Sequence, residues 1–240
     1  MSLIVTLSVP EGLVIAGDSR LTLSWAHKTP TGEQLHSITA SDSNTKVFSI
    51  NNRFGIGFFG AAEIKGVPIS GFINRFIEEK IQARTTIDEM PQLLLDFFGA
   101  PHSYPATQFH VVGYLVENGI STPHVYYVNI ANRQIQRINL GNNEIRYCAI
   151  WGGETEVLSR LLNVVRMHNG QDWMDVPSTP IPWHFMTLQD AIDFSQFAIR
   201  TTIETIKFQQ KEKTVGGPID ILVIRPNELP EWIARKELKA

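Results

Sequence analysis

The order in which two periodicities follow one another along the chain constrains its fold more than any single motif. Apolar residues alternate with polar ones over residues 3–9, Glu11-Gly12 supplies a turn, and residues 13–16 form a second run, which together predict a hairpin. Residues 21–25 continue in β character, and the polar stretch 27–45 reads as a loop or a long hairpin tip. Residues 46–50 and 53–58 predict a strand pair turning at Asn51-Asn52. After Gly60 the period changes. Ile64, Val67, Gly71, Phe72, Phe76 and Ile77 recur at helical spacing, with Pro68 placed in the first turn. Thr86 and Glu89 have the spacing of a capping box for a second helix running through residues 93–98. Strands follow at 108–114, 125–130, 134–139 and 144–151, then a helix at 155–167 and a long loop at 169–186. Thr187 and Asp190 cap a helix whose apolar positions are Leu188, Ile192, Ile199, Ile203 and Ile206. Gly216-Gly217-Pro218 turns into a last strand at 219–224, and 231–238 reads as a short exposed helix.

This order is strands, two helices, strands, two helices, strand. It lacks the regular βαβα alternation of a parallel sheet and predicts an α+β fold, two stacked antiparallel sheets flanked by helices, the four-layer αββα sandwich. No linker, repeat or low-complexity segment divides residues 1–240, so the expectation is a single domain with a C-terminal tail at 227–240.

Composition narrows the function classes. Apolar residues make up 43% and charged residues 19%, a balance that supports a buried core and argues against disorder. The net charge of −3 and scattered basic residues, with short clusters only at Lys211, Lys213 and Arg235, Lys236, argue against a nucleic-acid partner. No run reaches the ~18 apolar residues of a membrane span, and the start of the chain lacks the basic flank of a signal peptide. The one cysteine, Cys148, sits among Tyr147, Ile150 and Trp151 and reads as an inert core thiol. These features suggest a cytoplasmic protein.

The chemistry centres on the first residues. Removal of Met1 would leave Ser2 with a hydroxyl and a free α-amine, and an N-terminal Ser or Thr can use its own amine as general base. That amine has a pKa near ~7.7–8.0, close to working pH. Asp18, at the end of the second hairpin strand, should lie beside the start of the first. Lys46 could stabilise the ionised hydroxyl, Asp18 could hold the lysine, and Gly60 could offer a backbone N–H to a developing oxyanion. Other readings stand beside these. Asp18 could simply pair with Arg20, and Lys46 could be a solvated strand lysine. Gly55-Ile-Gly-Phe-Phe-Gly60 matches GxGxxG, but the strand bearing an acid that a dinucleotide site needs some ~20 residues on is missing. The histidines show no ligand spacing; His110 and His124 read as strand residues, His102 and His184 as loop residues. No cofactor and no metal is expected.

The constellation resembles the proteasome β-subunit family, including its bacterial HslV-like and Anbu-like branches. The pieces that carry the resemblance are residues 12–20 (GLVIAGDSR), 45–50 (TKVFSI), 57–63 (GFFGAAE) and 215–224 (VGGPIDILVI), in family order across most of the chain. The resemblance implies peptide- or amide-bond hydrolysis through an acyl-enzyme without cofactor, acting on a peptide or protein substrate. Ser2 would be nucleophile, Asp18 would orient, Lys46 would tune the pKa and Gly60, with Phe59 as the alternative alignment, would form the oxyanion hole. It also implies a homo-oligomer and leaves an ATP-dependent partner open. Phe58 precedes the oxyanion loop where the family lines its specificity pocket, but it reads more readily as a core residue. Serine stands where the family has threonine, and the segment between Asp18 and Lys46 is longer than usual. The Gly152-Gly153 turn lacks the family's serine, and Glu212 and Val215 are the best counterparts of a distal acid and serine. The alternative implied by these departures is a catalytically inactive ring-forming or scaffold protein on the same fold.

Overall fold

The computed structural model describes residues 2–29, 32–99 and 105–237. Met1 and His102 therefore lie outside the described residues. The chain is a mixed α+β protein built mainly from antiparallel sheets.

The opening hairpin is β1 (Leu3–Val9) and β2 (Gly12–Gly17). A two-stranded ribbon follows, β3 (Leu21–Thr29) with β4 (Gly32–Ser41), where the sequence left a loop or a hairpin tip. Next come β5 (Val47–Ile50) and β6 (Phe54–Gly60), turned by Asn51 and Asn52, both at positive φ. A small hairpin, β7 (Glu63–Ile64) with β8 (Val67–Pro68), precedes helix α1 (Ile69–Lys80). The helix expected from Ile64 starts later because Lys65 and Gly66 take left-handed conformations (φ 51° and 79°) that no helix includes. Helix α2 (Met90–Phe98) follows, with the Glu89 carboxylate accepting from the Thr86 N–H at 2.8 Å just before it.

The chain then enters β9 (Thr107–Glu117), β10 (Ile120–Asn129) and β11 (Gln134–Arg137), a two-residue pair β12 (Leu140–Gly141) with β13 (Glu144–Ile145), and β14 (Cys148–Gly153). Helix α3 (Glu156–Leu162) ends five residues before the expected boundary. Asn163 turns extended, and the β-branched Val164-Val165 lead into a hairpin of β15 (Arg166–His168) and β16 (Trp173–Asp175). Helix α4 (Leu188–Lys207) begins with the expected capping box at Thr187 and Asp190. The last strands are β17 (Asp220–Ile224) and β18 (Glu231–Ala234). The expected helix at 231–238 is thus a strand on β17; Glu231 to Ala234 alternate between exposed and half-buried, a period of two.

Two five-stranded sheets dominate, ordered β14-β1-β2-β17-β18 and β11-β10-β9-β6-β5, with every pairing antiparallel. Three apolar clusters hold the molecule. The first joins β6, β9 and β10 to α1 and α2 through Phe54, Ile56, Phe58, Phe72, Phe76 and Phe98. The second joins β1, β2 and β17 to α3 and α4 through alternate residues such as Leu3, Val5, Leu7, Leu158 and Ile199. The third contains residues of both sheets, among them Ile4, Leu13, Ile15, Val112 and Leu222.

Burial on both faces explains why β2 reads as a nearly continuous apolar run and why Thr6 and Ser8 of β1 are buried with their apolar neighbours. The glycines of the GxGxxG-like segment serve the same packing. A Cβ on Gly57 would lie 2.9 Å from Ile4 Cγ2, and one on Gly55 would lie 3.0 Å from Val112 Cγ2 and 3.1 Å from Ile15 Cγ2. The segment is strand β6, followed by β7 rather than a helix. The helix N-terminus that a dinucleotide site requires is therefore absent from this position. Among the described residues, no helix is long and apolar enough to cross a membrane.

Candidate functional site

The end of the first hairpin brings three of the four expected site residues into one buried region. β1 and β2 pair with Ile4 opposite Gly17, so Asp18 emerges beside the start of the chain. The Leu3 N–H donates to Asp18 Oδ1 at 2.9 Å, and the Asp18 N–H donates back to the Leu3 carbonyl at 3.3 Å. The residue next to Ser2 is thereby fixed to the aspartate at both backbone groups. Lys46 stands just before β5 and is 1% exposed; its Nζ donates to the same Asp18 Oδ1 at 2.8 Å. Asp18 Oδ2 accepts the backbone N–H groups of Arg20, at 3.1 Å, and Gly216, at 3.0 Å. Four donors converge on one buried carboxylate, which satisfies both of its oxygens.

The two bland alternatives for these residues are not what the geometry gives. The Arg20 guanidinium pairs with Asp42, at 2.6 and 2.8 Å, and not with Asp18. Lys46 is buried rather than solvated. Burial pushes its ammonium below the usual lysine range; Asp18 opposes this, and the nearby cations Lys236 and Arg20 add to it. Lys236 is itself paired through Nζ with the buried carboxylate of Asp220, which lies opposite Gly17 on β17.

Ser2 is 3% exposed. Its carbonyl accepts from the Glu154 N–H at 2.7 Å. Gly153 immediately precedes that donor at φ 100°, and a Cβ there would lie 1.8 Å from the Ser2 carbonyl oxygen. The Glu154 side chain is 6% exposed and runs the other way, accepting from Lys211 Nζ at 2.9 Å and from Thr214 Oγ1 at 3.1 Å. Glu212 and Val215 are the sequence's best counterparts of the distal acid and serine; the group bonded to the Ser2 carbonyl is the Glu154 N–H, and the Glu154 carboxylate in turn accepts from Thr214. The signal was in view. Glu154 follows the Gly-Gly turn directly, but its register against Leu3 is a tertiary fact: Leu3 pairs with Gly153 across β1 and β14.

Gly60 closes β6 at φ 95°, where a Cβ would lie 2.3 Å from the Ala106 carbonyl oxygen. Only glycine fits that conformation and space. Its neighbour Phe59 points between the sheets, with its ring edge-on to His110 at 5.0 Å. Phe58 is 1% exposed beneath α1 and α2 and belongs to the core, the reading the sequence favoured over a pocket lining.

His110 is buried with Nδ1 at 3.0 Å from Thr6 Oγ1, and burial pushes its pKa down to about 3. Burial also pushes the Cys148 thiol up to about 11, which keeps it protonated and unreactive at neutral pH. Among the described residues, no group of three or more His, Cys, Asp or Glu is placed to hold a metal ion. Comparison with protein-family models finds no match to this chain, and comparison with curated proteins finds none.

Proposed function

We propose that this protein is an N-terminal-nucleophile hydrolase of the proteasome β-subunit type, with the four-layer αββα arrangement of that class. The succession of helices, sheet, sheet and helices across three apolar clusters supports the layering. The observation that carries the function is the buried Lys46–Asp18 pair tied to the Leu3 N–H, one residue from Ser2. A lysine has little reason to be 1% exposed beside a chain start unless its charge is used there.

In this mechanism, Met1 is removed and the Ser2 α-amine takes the proton of its own hydroxyl. Ser2 Oγ attacks the scissile carbonyl, and the developing oxyanion accepts the Gly60 N–H. The amine returns the proton to the leaving amine, and water then cleaves the ester. Lys46 stabilises the ionised hydroxyl and keeps the amine neutral; Asp18 holds Lys46. Peptides or proteins are the substrates. Self-association into a homo-oligomer belongs to the same proposal, with the exposed Phe197 on α4 available as a contact residue. The test is mass spectrometry of the mature N-terminus together with labelling by an acylating β-lactone probe. A chain beginning at Ser2 and a single adduct on Ser2 are expected; retained Met1, or a free Ser2 without adduct, would sink the proposal.

A second reading is a non-catalytic scaffold on the same fold. The hydroxyl-free Gly152-Gly153 turn favours it, because the Glu154 carboxylate beside it is committed to Lys211 and Thr214. A stable homo-oligomer whose free N-terminal Ser2 resists the probe would select this reading.

A further inference from the structure

A cavity of about 630 Å³ lies at the edge where β14 and β11 are the outermost strands of the two sheets. That volume falls within the ~300–1,000 Å³ of small-ligand sites. Its lining includes Gly60, the candidate oxyanion donor, and Gly153, which packs on the Ser2 carbonyl. The cavity therefore borders Gly153, the residue packed directly on Ser2. It is also separate from Phe58, which is buried beneath the helices on the other face of β6.

The wall is chemically selective. Phe59, Tyr127, Ile138 and Ile150 supply rings and branched aliphatic surface. Phe59 and Tyr127 are stacked at 6.5 Å, and Phe59 meets His110 edge-on. Gly152 gives Phe59 its place, since a Cβ there would lie 2.1 Å from the ring. Among the described residues, no Asp, Glu, Lys or Arg lines the cavity. His110, whose Nδ1 lies 3.0 Å from Thr6 Oγ1, is held neutral by burial. Its polar groups are uncharged, two of them carboxamides: Gln108 Oε1 accepts from the Tyr127 hydroxyl at 2.6 Å, which leaves its amide nitrogen as a donor, and Gln136 stands on the exposed β11 edge. A charged side chain entering here would lose its water and find no counter-charge. An aromatic side chain would find edge and face partners.

We propose that this cleft binds an aromatic, uncharged side chain flanking the bond cleaved at Ser2, with Gln108 and the Phe59–Tyr127 pair as its specificity-determining residues. The inference rests on the hydrolytic reading. Two blocked peptide series test it, one varying each residue that flanks the cleaved bond among Phe, Tyr, Lys and Glu, alongside β-lactone labelling of the same protein. A preference in kcat/KM of at least about tenfold for Phe and Tyr at one of the two positions is expected, since a tenfold ratio corresponds to only 1.4 kcal/mol of differential binding. Gln108→Glu retains the acceptor for Tyr127 and adds a charge, and should reduce that preference at least about fivefold while admitting Lys. Gln136→Glu, on an exposed edge where folding is undisturbed, should shift selectivity in the same direction. If Ser2 labels but all four side chains are cleaved alike, or if neither variant changes the preference, the cleft assignment falls and the hydrolytic reading stands. Absence of both labelling and cleavage overturns both.

Discussion

Asp18 and Lys46 are partners, yet removing one should cost much more than removing the other. In Lys46→Met, Asp18 keeps three backbone donors, from Leu3, Arg20 and Gly216. A carboxylate with that many N–H partners keeps both oxygens hydrogen-bonded. The loss is one charge-assisted bond, about 1.5–3 kcal/mol, offset by the desolvation that the buried ammonium no longer suffers. A net cost of about 1–2 kcal/mol is expected. Asp18→Asn behaves differently. One amide oxygen replaces two carboxylate oxygens, so two of the four donors around it face an NH2 group. Each unsatisfied buried donor costs about 1–3 kcal/mol. Lys46 also loses its counter-ion while 1% exposed, the situation in which one-sided removal costs about 3–5 kcal/mol before the lysine neutralises. The expected cost is about 4 kcal/mol or more, at least about 2 beyond Lys46→Met. Urea unfolding followed by far-UV circular dichroism at pH 7.5 measures both, with equal m-values as the check that the two unfold alike. Equal costs, or a costlier Lys46→Met, would refute the idea that backbone donors rather than the lysine carry the aspartate. Under the proposed function, Lys46→Met should also fold and yet fail to label with the β-lactone, which separates its chemical role from its structural one.

Acidification should act through His110. The unfolded chain protonates this group near 6.5, whereas the folded protein holds it neutral down to about 3. Between those values the unfolded state binds the extra proton, so stability falls as pH drops, by about 1.4 kcal/mol per pH unit from this residue. His110→Gln should flatten that part of the profile in urea titrations at pH 7 and pH 5; an unchanged slope would remove His110 as the cause. Thr214→Val removes the hydroxyl that donates to the buried Glu154 carboxylate and should cost about 1.5–3 kcal/mol in the same assay, with a cost near zero showing that Lys211 alone suffices. Gly153→Ala meets the Ser2 carbonyl at 1.8 Å and a positive φ together, so it should both destabilise the fold by more than about 2 kcal/mol and abolish labelling at Ser2. A stable, fully labelled Gly153→Ala protein would mean that the β1–β14 register near Ser2 is not the one described.

What the sequence disclosed and what it withheld divide along the reach of the interactions. The β1–β2 hairpin places Asp18 beside Leu3 through a short turn and a fixed register, so a spacing of fifteen residues already implied the contact that Leu3 and Asp18 make. The α4 capping box is more local still, four residues closing on themselves from Thr187 to Asp190. Glu154 and Thr214 were out of reach for the opposite reason. Their relation to Ser2 depends on β14 pairing with β1 and on the loop before β17 folding over that edge, contacts that span most of the chain and leave no periodic trace. The misplaced elements have the same origin. Residues 231–234 carry Trp232 and Ile233 among charges, a pattern too short to distinguish a helix from a strand, and only the free edge of β17 decides between them. Gly57 and Gly60 look alike in the sequence, yet one is required by the neighbouring sheet and the other by its own φ and the Ala106 carbonyl. A motif search reads both as a phosphate loop because it registers the missing side chain and not the atom that excludes it. Ser2 stands at the meeting of the two kinds of information. Its near neighbours Leu3 and Asp18 followed from local spacing, whereas the groups holding its carbonyl needed the closed fold. The nucleophile assignment is therefore strongest at the Lys46–Asp18 side and rests on tertiary pairing at the Glu154 side, which is why Gly153→Ala and Lys46→Met probe it from opposite directions.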